Sequence, residues 1–243
     1  MNKVALVTGS SRGIGKAIIT DFAKKGYNVV INYIKEYNEA ERLKEKLENE
    51  YSIRALTIKA DVSNEDEVQE MVANIKKEFK RIDVLVNNAG IAIDKEFEDR
   101  TVEDWKRTLS VNLIAPFIVS KYVGNEMLKN KSGKIINISS TNGINAFFPT
   151  SIDYDASKAG VINLTHNLAI QFAPYINVNC VAPGWVNTDM NKELPKDLIE
   201  EETNRIYKKR FAEPSEIAKV VTFLASDDAD FINDEIIKVD GGY

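Results

Sequence analysis

The chain has almost no residues suited to sulfur or histidine chemistry. Its 243 residues include only one cysteine, Cys180, and one histidine, His166. A single cysteine cannot form an intrachain disulfide, which is typical of a reducing compartment. A single histidine leaves little material for a histidine-rich metal site or a Ser-His-Asp triad. We therefore expect a chemistry that uses neither a metal centre nor a catalytic histidine.

Long apolar runs and an excess of positive charge are also missing. No stretch approaches roughly 18 consecutive apolar residues, so we expect no membrane span. The apolar run within the first residues, MNKVALVTGSS, is too short to form the hydrophobic core of a signal peptide. The net charge of −5 argues against nucleic-acid binding, which favours basic domains. These absences predict a cytoplasmic protein with neither a membrane partner nor a nucleic-acid partner.

Short apolar runs alternate with amphipathic stretches from one end of the chain to the other. Most runs are nearly continuous hydrophobics, which is typical of strands buried on both faces of a parallel sheet. Helical patterns between them, such as 38–50 and 65–79, imply right-handed βαβ units, and Ser63 is the expected N-cap of the second. The sequence predicts one α/β domain over residues 1–243, a Rossmann-type doubly wound parallel sheet of about seven strands with helices on both faces. The predicted strands are 3–8, 28–33, 53–59, 82–86, 134–139, 176–182 and 235–239.

One long, highly charged segment, 187–213, breaks this rhythm near the end of the chain. It has two interpretations. It is either a solvated surface helix or a mobile lid over a substrate cleft, since lids are drawn from weakly buried segments.

The sequence TGSSRGIG at 8–15 follows the first predicted strand and opens a helix near Ile14. Gly9, Gly13 and Gly15 suit a tight turn with close backbone approach, which would aim the helix N-terminus at a pyrophosphate. Their spacing is G-x-x-x-G-x-G rather than the commoner G-x-G-x-x-G. A dinucleotide cradle is the interpretation we favour, and a ligand-free glycine turn is the alternative.

The end of the second strand bears on which dinucleotide is bound. It reads Asn32-Tyr33, and no acid follows until Glu36. An acid at the strand end would accept hydrogen bonds from a ribose 2′-hydroxyl and would repel a 2′-phosphate. Its absence, with Arg12 and Lys35 nearby, favours NADP(H). The alternative for Arg12 is a solvent-facing loop residue.

Polar residues gather where predicted strands end. Tyr154 and Lys158 lie four apart on one helix face, a pair that chance alone would also produce. Ser140 follows the fifth strand and NNAG (87–90) ends the fourth, at the edge where open α/β sheets bind ligands. Asn112 lies among apolar residues, where a buried amide needs a partner. Together these residues form a candidate site, in which the partner of Asn112 is either structural or catalytic.

The set resembles the short-chain dehydrogenase/reductase family, and the resemblance covers the whole chain. The matching pieces are TGSSRGIG (8–15), Asp61-Val62, NNAG (87–90), Asn112, IINISS (135–140), YDASK (154–158), PGWVNTDM (183–190) and DGG (240–242). Extended relatives such as epimerases and dehydratases also carry Y-x-x-x-K. They usually have another glycine spacing and a longer C-terminal domain.

The resemblance implies a role for each polar residue. Tyr154 would exchange a proton with the carbonyl or alcohol oxygen. Lys158, with the positive nicotinamide ring, would lower the tyrosine pKa and would also bind the nicotinamide ribose. Ser140 would hydrogen-bond the substrate oxygen, and Asn112 would hold a water that links Lys158 to solvent. The hydride chemistry itself belongs to the cofactor.

The resemblance also implies a set of NADP(H)-binding residues. Gly9 to Gly15 would cradle the pyrophosphate, and 88–90 would flank the adenosine half. The full set is Gly9, Ser11, Arg12, Gly13, Ile14, Gly15, Asn32, Tyr33, Asp61, Val62, Asn88, Ala89, Gly90, Tyr154, Lys158, Pro183, Gly184, Val186 and Thr188.

Two departures from the family pattern stand out. Ser140 precedes Tyr154 by 14 residues, one more than in close relatives, so Thr141 is a fallback. Gly143 at the family's usual offset supports Ser140. The stretch AIQFAPYINVN (169–179) is one residue short, and Tyr175 stands where an arginine is common.

Within the family, the chain resembles 3-oxoacyl-[acyl-carrier-protein] reductases, in length and in the stretch 210–232. An acidic carrier protein would need a basic docking patch near the cleft, to which Lys129, Lys131 and Lys134 could contribute, although a solvated surface is equally consistent. A small ketone, sugar or polyol is the alternative substrate. A non-catalytic NADPH-binding regulator would be expected to lack Tyr154 or Lys158. The resemblance further implies a homotetramer that pairs helices 101–128 and 153–173, with plain intrachain burial as the alternative.

Overall fold

Seven strands in the described part of the chain form one parallel sheet. The computed structural model describes residues 2–191 and 194–243. The sheet order is β3-β2-β1-β4-β5-β6-β7, and every neighbouring pair is parallel. The strands are β1 Val4–Val7, β2 Asn28–Tyr33, β3 Ala55–Lys59, β4 Val84–Asn87, β5 Gly133–Ile138, β6 Ile176–Pro183 and β7 Ile236–Val239. The predicted fold class is confirmed.

Helices cover both faces of the sheet. They are α1 Gly13–Lys24, α2 Tyr37–Tyr51, α3 Glu65–Phe79, α4 Val102–Leu109, α5 Ala115–Asn130, α6 Ile152–Phe172, α7 Lys196–Arg205 and α8 Pro214–Leu224. Among the helices described, none is long and apolar enough to cross a membrane.

The central strand β1 shows why the strands read as continuous hydrophobics. Successive side chains of a strand point to opposite faces. Ala5 and Val7 pack into the cluster that holds Phe22 of α1, whereas Leu6 packs into the cluster that holds Met127 of α5. Because both faces are buried, both sets of side chains are apolar.

The strand order reverses between β1 and β4, since the chain winds from β1 to β3 on one side and from β4 to β7 on the other. Doubly wound sheets bind ligands in the crevice that this reversal opens at the carboxyl ends of the strands. The residues that follow β1 and β4 therefore line the expected binding crevice.

The N-cap of α3 is not the residue predicted. Asn64, rather than Ser63, caps this helix, because the Asn64 side chain accepts from the backbone N–H groups of Asp66 (3.0 Å) and Glu67 (3.3 Å). The Ser63 hydroxyl instead donates to Asp61 (2.7 Å). Asn64 is the N-cap because its side-chain oxygen reaches the N–H groups of the first turn of α3, whereas Ser63 completes a tight turn after β3.

The stretch between α4 and α5 is continuous with both helices but is wound as a π-helical turn over Ser110–Ile114. Such turns insert an extra residue per turn and are frequent at functional sites. Asn112 lies at the centre of this one and is buried.

The segment 187–213 contains α7, and residues 192 and 193 within it lie outside the described structure. It is anchored at both ends rather than fully solvated. Val186 and Ala212 form an isolated parallel bridge, and Glu202 of α7 is buried.

Candidate active site

The four candidate catalytic residues come together at the carboxyl edge of the sheet. Tyr154 and Lys158 lie in the first two turns of α6, Ser140 follows β5, and Asn112 lies in the π-helical turn. The Lys158 Nζ lies 5.5 Å from the centre of the Tyr154 ring. Asn112, Ser140 and Lys158 are all buried, and Tyr154 is half-buried.

Lys158 is a buried amine with one hydrogen-bond partner among the residues described. Its Nζ donates to the backbone oxygen of Ile138 (2.9 Å), the last residue of β5. Burial disfavours the ammonium form and lowers the pKa of Lys158 to about 8. The lysine is therefore held in place by the sheet edge while remaining easy to deprotonate.

Burial has the opposite effect on the phenol of Tyr154. It raises the pKa of Tyr154 to about 12, although a hydrogen bond with the Ser140 hydroxyl partly offsets the rise. The lowering expected from Lys158 together with a positive nicotinamide ring stays a prediction. Within the chain's own residues, loss of solvation outweighs the hydrogen bond with Ser140. Tyr154 therefore carries its proton at neutral pH.

Asn112 fastens the π-helical turn to the loop after β4. Its Oδ1 accepts from the Ile91 N–H (2.8 Å), and its Nδ2 donates to the Ile91 oxygen (2.9 Å) and to Ser157 Oγ (3.0 Å). An amide offers two donors and two acceptor positions, so these bonds leave one acceptor position on Oδ1. A water expected at this residue would have to bind there or at the backbone.

The glycine loop is shaped from behind by two asparagines. Asn32 Oδ1 accepts from the Gly9 N–H (3.0 Å), and Asn88 Nδ2 donates to the Gly9 oxygen (3.2 Å). A Cβ on Gly15 would lie 2.5 Å from that same Gly9 oxygen, which explains the glycine. Asn32 is almost fully buried, so its side chain serves the loop. The chain's own side chains thus hold the loop in this conformation.

The open side of the loop fits a phosphate group. Arg12 at the N-cap of α1 makes no side-chain capping bond, and the first turn has no acidic residue. Gly13 has a positive φ of 56°, and a Cβ there would meet only Thr188 Cγ2, at 3.9 Å. Uncapped N–H groups at a helix N-terminus attract anions. These residues fit the pyrophosphate of a dinucleotide.

The expected cofactor residues follow five of the strands at one edge of the sheet. Gly9, Ser11, Arg12, Gly13, Ile14 and Gly15 follow β1; Asn32 and Tyr33 end β2; Asp61 and Val62 follow β3; Asn88, Ala89 and Gly90 follow β4; Pro183 ends β6, and Gly184, Val186 and Thr188 follow it. Val62 and Val186 are core residues, so only their backbones can face a ligand.

The carboxylate of Glu36 opposes the argument from the sequence that Arg12 is free to bind a 2′-phosphate. Arg12 is exposed, and its Nε lies 3.9 Å from Glu36 Oε1. The acid that lies three residues beyond the second strand therefore still faces Arg12.

The basic patch predicted beside the cleft lies at the wrong edge of the sheet. It comprises Lys129, Lys131 and Lys134. These residues end α5 and begin β5, whereas Ser140 follows the other end of β5, six residues or about 20 Å away. Glu126 and Asp230 pair with two of the three lysines. Within one chain, the expected docking patch beside the cleft is therefore wrong.

The sequence argument did not identify the contacts of Asn142, Asp155 and Glu202 around the candidate site. Asn142 and Asp155 are hydrogen-bonded to each other beside Ser140 (2.6 Å), and the available signal was their closeness in sequence to the candidate catalytic residues. Glu202 of α7 accepts from Trp185 Nε1 (2.7 Å), and no periodicity marks such a buried carboxylate. Trp185 stacks on Phe211 with ring centres 5.4 Å apart. These contacts tie the segment 187–213 to the loop after β6.

The comparisons with known proteins cover nearly the whole chain. A family model described as "Enoyl-(Acyl carrier protein) reductase" matches residues 9–243. The 3-oxoacyl-[acyl-carrier-protein] reductase FabG of Staphylococcus epidermidis is 41% identical over 243 residues, which cover 100% of this chain and 99% of the relative. The FabG of Thermotoga maritima is 39% identical over 247 residues, covering 99% and 97%.

A solved structure from Agrobacterium tumefaciens, of a protein assigned as a gluconate dehydrogenase, superposes with a TM-score of 0.94 at 32% identity. The match covers 98% of this chain and 94% of that one. The fold, the clustered polar residues and these relatives agree. The chain belongs to the short-chain dehydrogenase/reductase family and is an oxidoreductase that acts on CH–OH or C=O groups.

Proposed function

We propose that the protein reduces the 3-keto group of a 3-oxoacyl thioester carried by acyl carrier protein, with NADPH as the reductant. The observation that carries the chemistry is the contact between Tyr154 and Ser140 beside buried Lys158, at the sheet edge that also holds the glycine loop. The substrate class is supported by relatives that share about 40% of their residues over their full length and are named for that reaction.

The chain's own residues account for cofactor binding. Gly13 and the uncapped N-terminus of α1 would hold the pyrophosphate, and Thr188 would lie on the other side of it. Arg12 would contact the 2′-phosphate, because no acid ends β2. Bound NADPH supplies the hydride.

Proton delivery would fall to Tyr154. The hydroxyl of Ser140 would donate a hydrogen bond to the substrate carbonyl oxygen and hold it beside the phenol. As the carbonyl carbon gains a hydride, its oxygen becomes basic and takes the Tyr154 proton, which completes the CH–OH group. The ammonium of Lys158 would offset the resulting phenolate charge.

The segment 187–213 would form one wall of the substrate cleft. Phe148 packs edge-on against Trp185 with ring centres 5.6 Å apart, so the loop before α6 and the loop after β6 meet through aromatic rings. We propose that this wall receives the acyl part of the substrate and that α7 moves with it as a lid.

We also propose that the protein is a homotetramer. Ile114 and Phe117 near the start of α5, and Ile170 on α6, are large apolar residues exposed to solvent. Pairing of these helices between copies would bury them. Light scattering coupled to size-exclusion chromatography measures the assembly directly.

Oxidation of a sugar acid or polyol is the second candidate function. The Agrobacterium structure assigned as a gluconate dehydrogenase supports it through a TM-score of 0.94. The two functions differ in substrate polarity, and the aromatic wall of Phe148 and Trp185 favours an acyl chain over a polyol.

Initial rates of NADPH oxidation with acetoacetyl thioesters, simple ketones and keto-sugars test the proposal. We expect turnover of the thioesters, and Tyr154→Phe should abolish it. Activity confined to sugars or polyols would support the second function instead. Full turnover by Tyr154→Phe would refute the proposed role of Tyr154 as the proton donor.

Cofactor choice is tested separately. Arg12→Ala should raise the KM for NADPH at least tenfold without changing that for NADH, because a charge-assisted contact to phosphate is worth about 1.5–3 kcal/mol. Glu36→Gln should lower the KM for NADPH, since it removes the carboxylate that faces Arg12. Equal efficiency with both cofactors in the parental chain would contradict the NADPH assignment.

A further inference from the structure

A chain of hydrogen bonds joins Ser140 to a carboxylate outside the catalytic set. Ser140 Oγ donates to Asn142 Oδ1 (3.1 Å), and the Asn142 backbone N–H donates back to Ser140 Oγ (3.2 Å). The Asn142 Nδ2 donates to Asp155 Oδ1 (2.6 Å). On its other side, the Ser140 hydroxyl lies near the Tyr154 hydroxyl and partly offsets the rise that burial causes in the phenol pKa. The network therefore links Asp155 to Ser140 through Asn142, beside Tyr154.

The carboxylate sets the direction of every bond in this network. An ionised carboxylate only accepts, so the Asn142 amide must turn its NH₂ group toward Asp155 and its oxygen toward Ser140. Because the amide oxygen also only accepts, the Ser140 O–H must donate its one hydrogen bond to Asn142. A lone pair of the Ser140 oxygen then accepts from the Asn142 N–H.

We propose that Asn142 and Asp155 are positioning residues that hold the Ser140 hydroxyl for catalysis. The inference rests on the proposed carbonyl reduction. Before the substrate binds, the Ser140 hydroxyl donates its hydrogen bond to Asn142. When a carbonyl oxygen arrives, the hydroxyl rotates and donates this hydrogen bond to the substrate, while the Asn142 N–H keeps the serine oxygen in place. No covalent bond to Asn142 or Asp155 forms or breaks.

Asp155 also binds the loop before α6, and this determines which residue of the network is best replaced in a test. Its other oxygen accepts from the Phe148 N–H (3.1 Å), and Ser151 Oγ donates to the same oxygen as Asn142 does (3.2 Å). Replacing Asp155 would therefore disturb the whole loop before α6. Asn142 is the cleaner position for a test, and Ser151→Ala is a matched control that removes one bond to Asp155 but keeps the link to Ser140.

The test is a double-mutant cycle on carbonyl reduction with Asn142→Ala, Ser140→Ala and the double variant. Asn142→Ala should lower kcat about tenfold, the loss expected for one well-placed hydrogen bond. Its affinity for NADPH should stay within about twofold of parental, since Asn142 does not touch the glycine loop. Ser151→Ala should keep kcat within about twofold. In the Ser140→Ala background, removing Asn142 should cost nothing further, because Asn142 acts through Ser140.

Two results would overturn the inference. One is an unchanged kcat in Asn142→Ala, and the other is the same fractional loss with and without Ser140, which is the mark of a purely structural role. Should the alanine variant not fold, Asn142→Ser gives the same comparison. A parental chain that reduces no carbonyl compound refutes the proposed function and the inference with it, whereas parental turnover with either result above refutes the inference alone.

Discussion

The buried ion pair between Arg100 and Asp153 should dominate the stability of the region around the candidate site. Arg100 Nη1 lies 2.9 Å from Asp153 Oδ1, with side chains 2% and 1% exposed. Thr108 Oγ1 donates to the other carboxylate oxygen (2.7 Å), and Arg100 also donates to the Thr150 oxygen. The pair thus joins the loop after β4, α4 and the start of α6.

Removing one charge of this pair leaves the other buried without compensation. Breaking a buried ion pair in this way costs about 3–5 kcal/mol. Asp153→Asn is the chosen change because it keeps the shape of the side chain and an oxygen for Thr108. For a chain of this size, the loss corresponds to a fall in Tm on the order of 10 °C.

Urea unfolding followed by far-UV circular dichroism measures the loss. We expect Asp153→Asn to lower the free energy of unfolding by about 3 kcal/mol or more. Arg100→Met combined with Asp153→Leu should recover most of it, since it removes both charges together and fills the space. A loss below about 1 kcal/mol for Asp153→Asn would refute the argument, and so would a double variant less stable than the single one.

Three further predictions concern the site. Burial holds the pKa of Lys158 at about 8, below its unfolded value, so the unfolded chain binds more protons from pH 8 upward and native stability rises there. Lys158→Met lacks this titrating amine and should not gain stability in the same way. Its free energy of unfolding relative to that of the parental chain should therefore fall by about 2 kcal/mol between pH 8 and 10, as followed by urea unfolding. Glu202→Ala should raise the KM for the carbonyl substrate several-fold and shift Trp185 fluorescence to the red, because it frees the indole N–H; unchanged values of both would contradict the anchored lid. Gly15→Ala should abolish NADPH binding in a fluorescence titration, since its Cβ would lie 2.5 Å from a backbone oxygen, and tight binding would contradict the loop geometry.

The fold was predictable because its signals are local and repeated. Strands buried on both faces are continuously apolar, and each is followed by an amphipathic helix, so the periodicity alone indicates a doubly wound sheet. The positions of the polar residues followed from topology, since every parallel strand ends at the same edge. The choice of Tyr154 and Lys158, which lie on α6, depended in addition on the resemblance to the short-chain dehydrogenase/reductase family.

The errors arose where competition between nearby groups decides the outcome. Ser63 and Asn64 are both good N-caps, and only the turn after β3 selects between them. Lys129 and Lys134 are near the catalytic residues in sequence, but a strand of six residues carries them to the opposite edge. Glu202 could not be recognised as buried, because its partners lie in distant loops.

The shifts at Tyr154 and Lys158 have one cause and a shared chemical consequence. Burial penalises both charged forms, so it raises the pKa of the phenol to about 12 and lowers the pKa of the amine to about 8. A phenol with such a pKa is almost wholly protonated at neutral pH and is therefore ready to deliver a proton to a carbonyl oxygen. Oxidation of an alcohol would need the phenolate, which the chain alone disfavours by several powers of ten. The same desolvation that hides the site from water thus keeps the proton on the phenol and makes the amine easier to deprotonate.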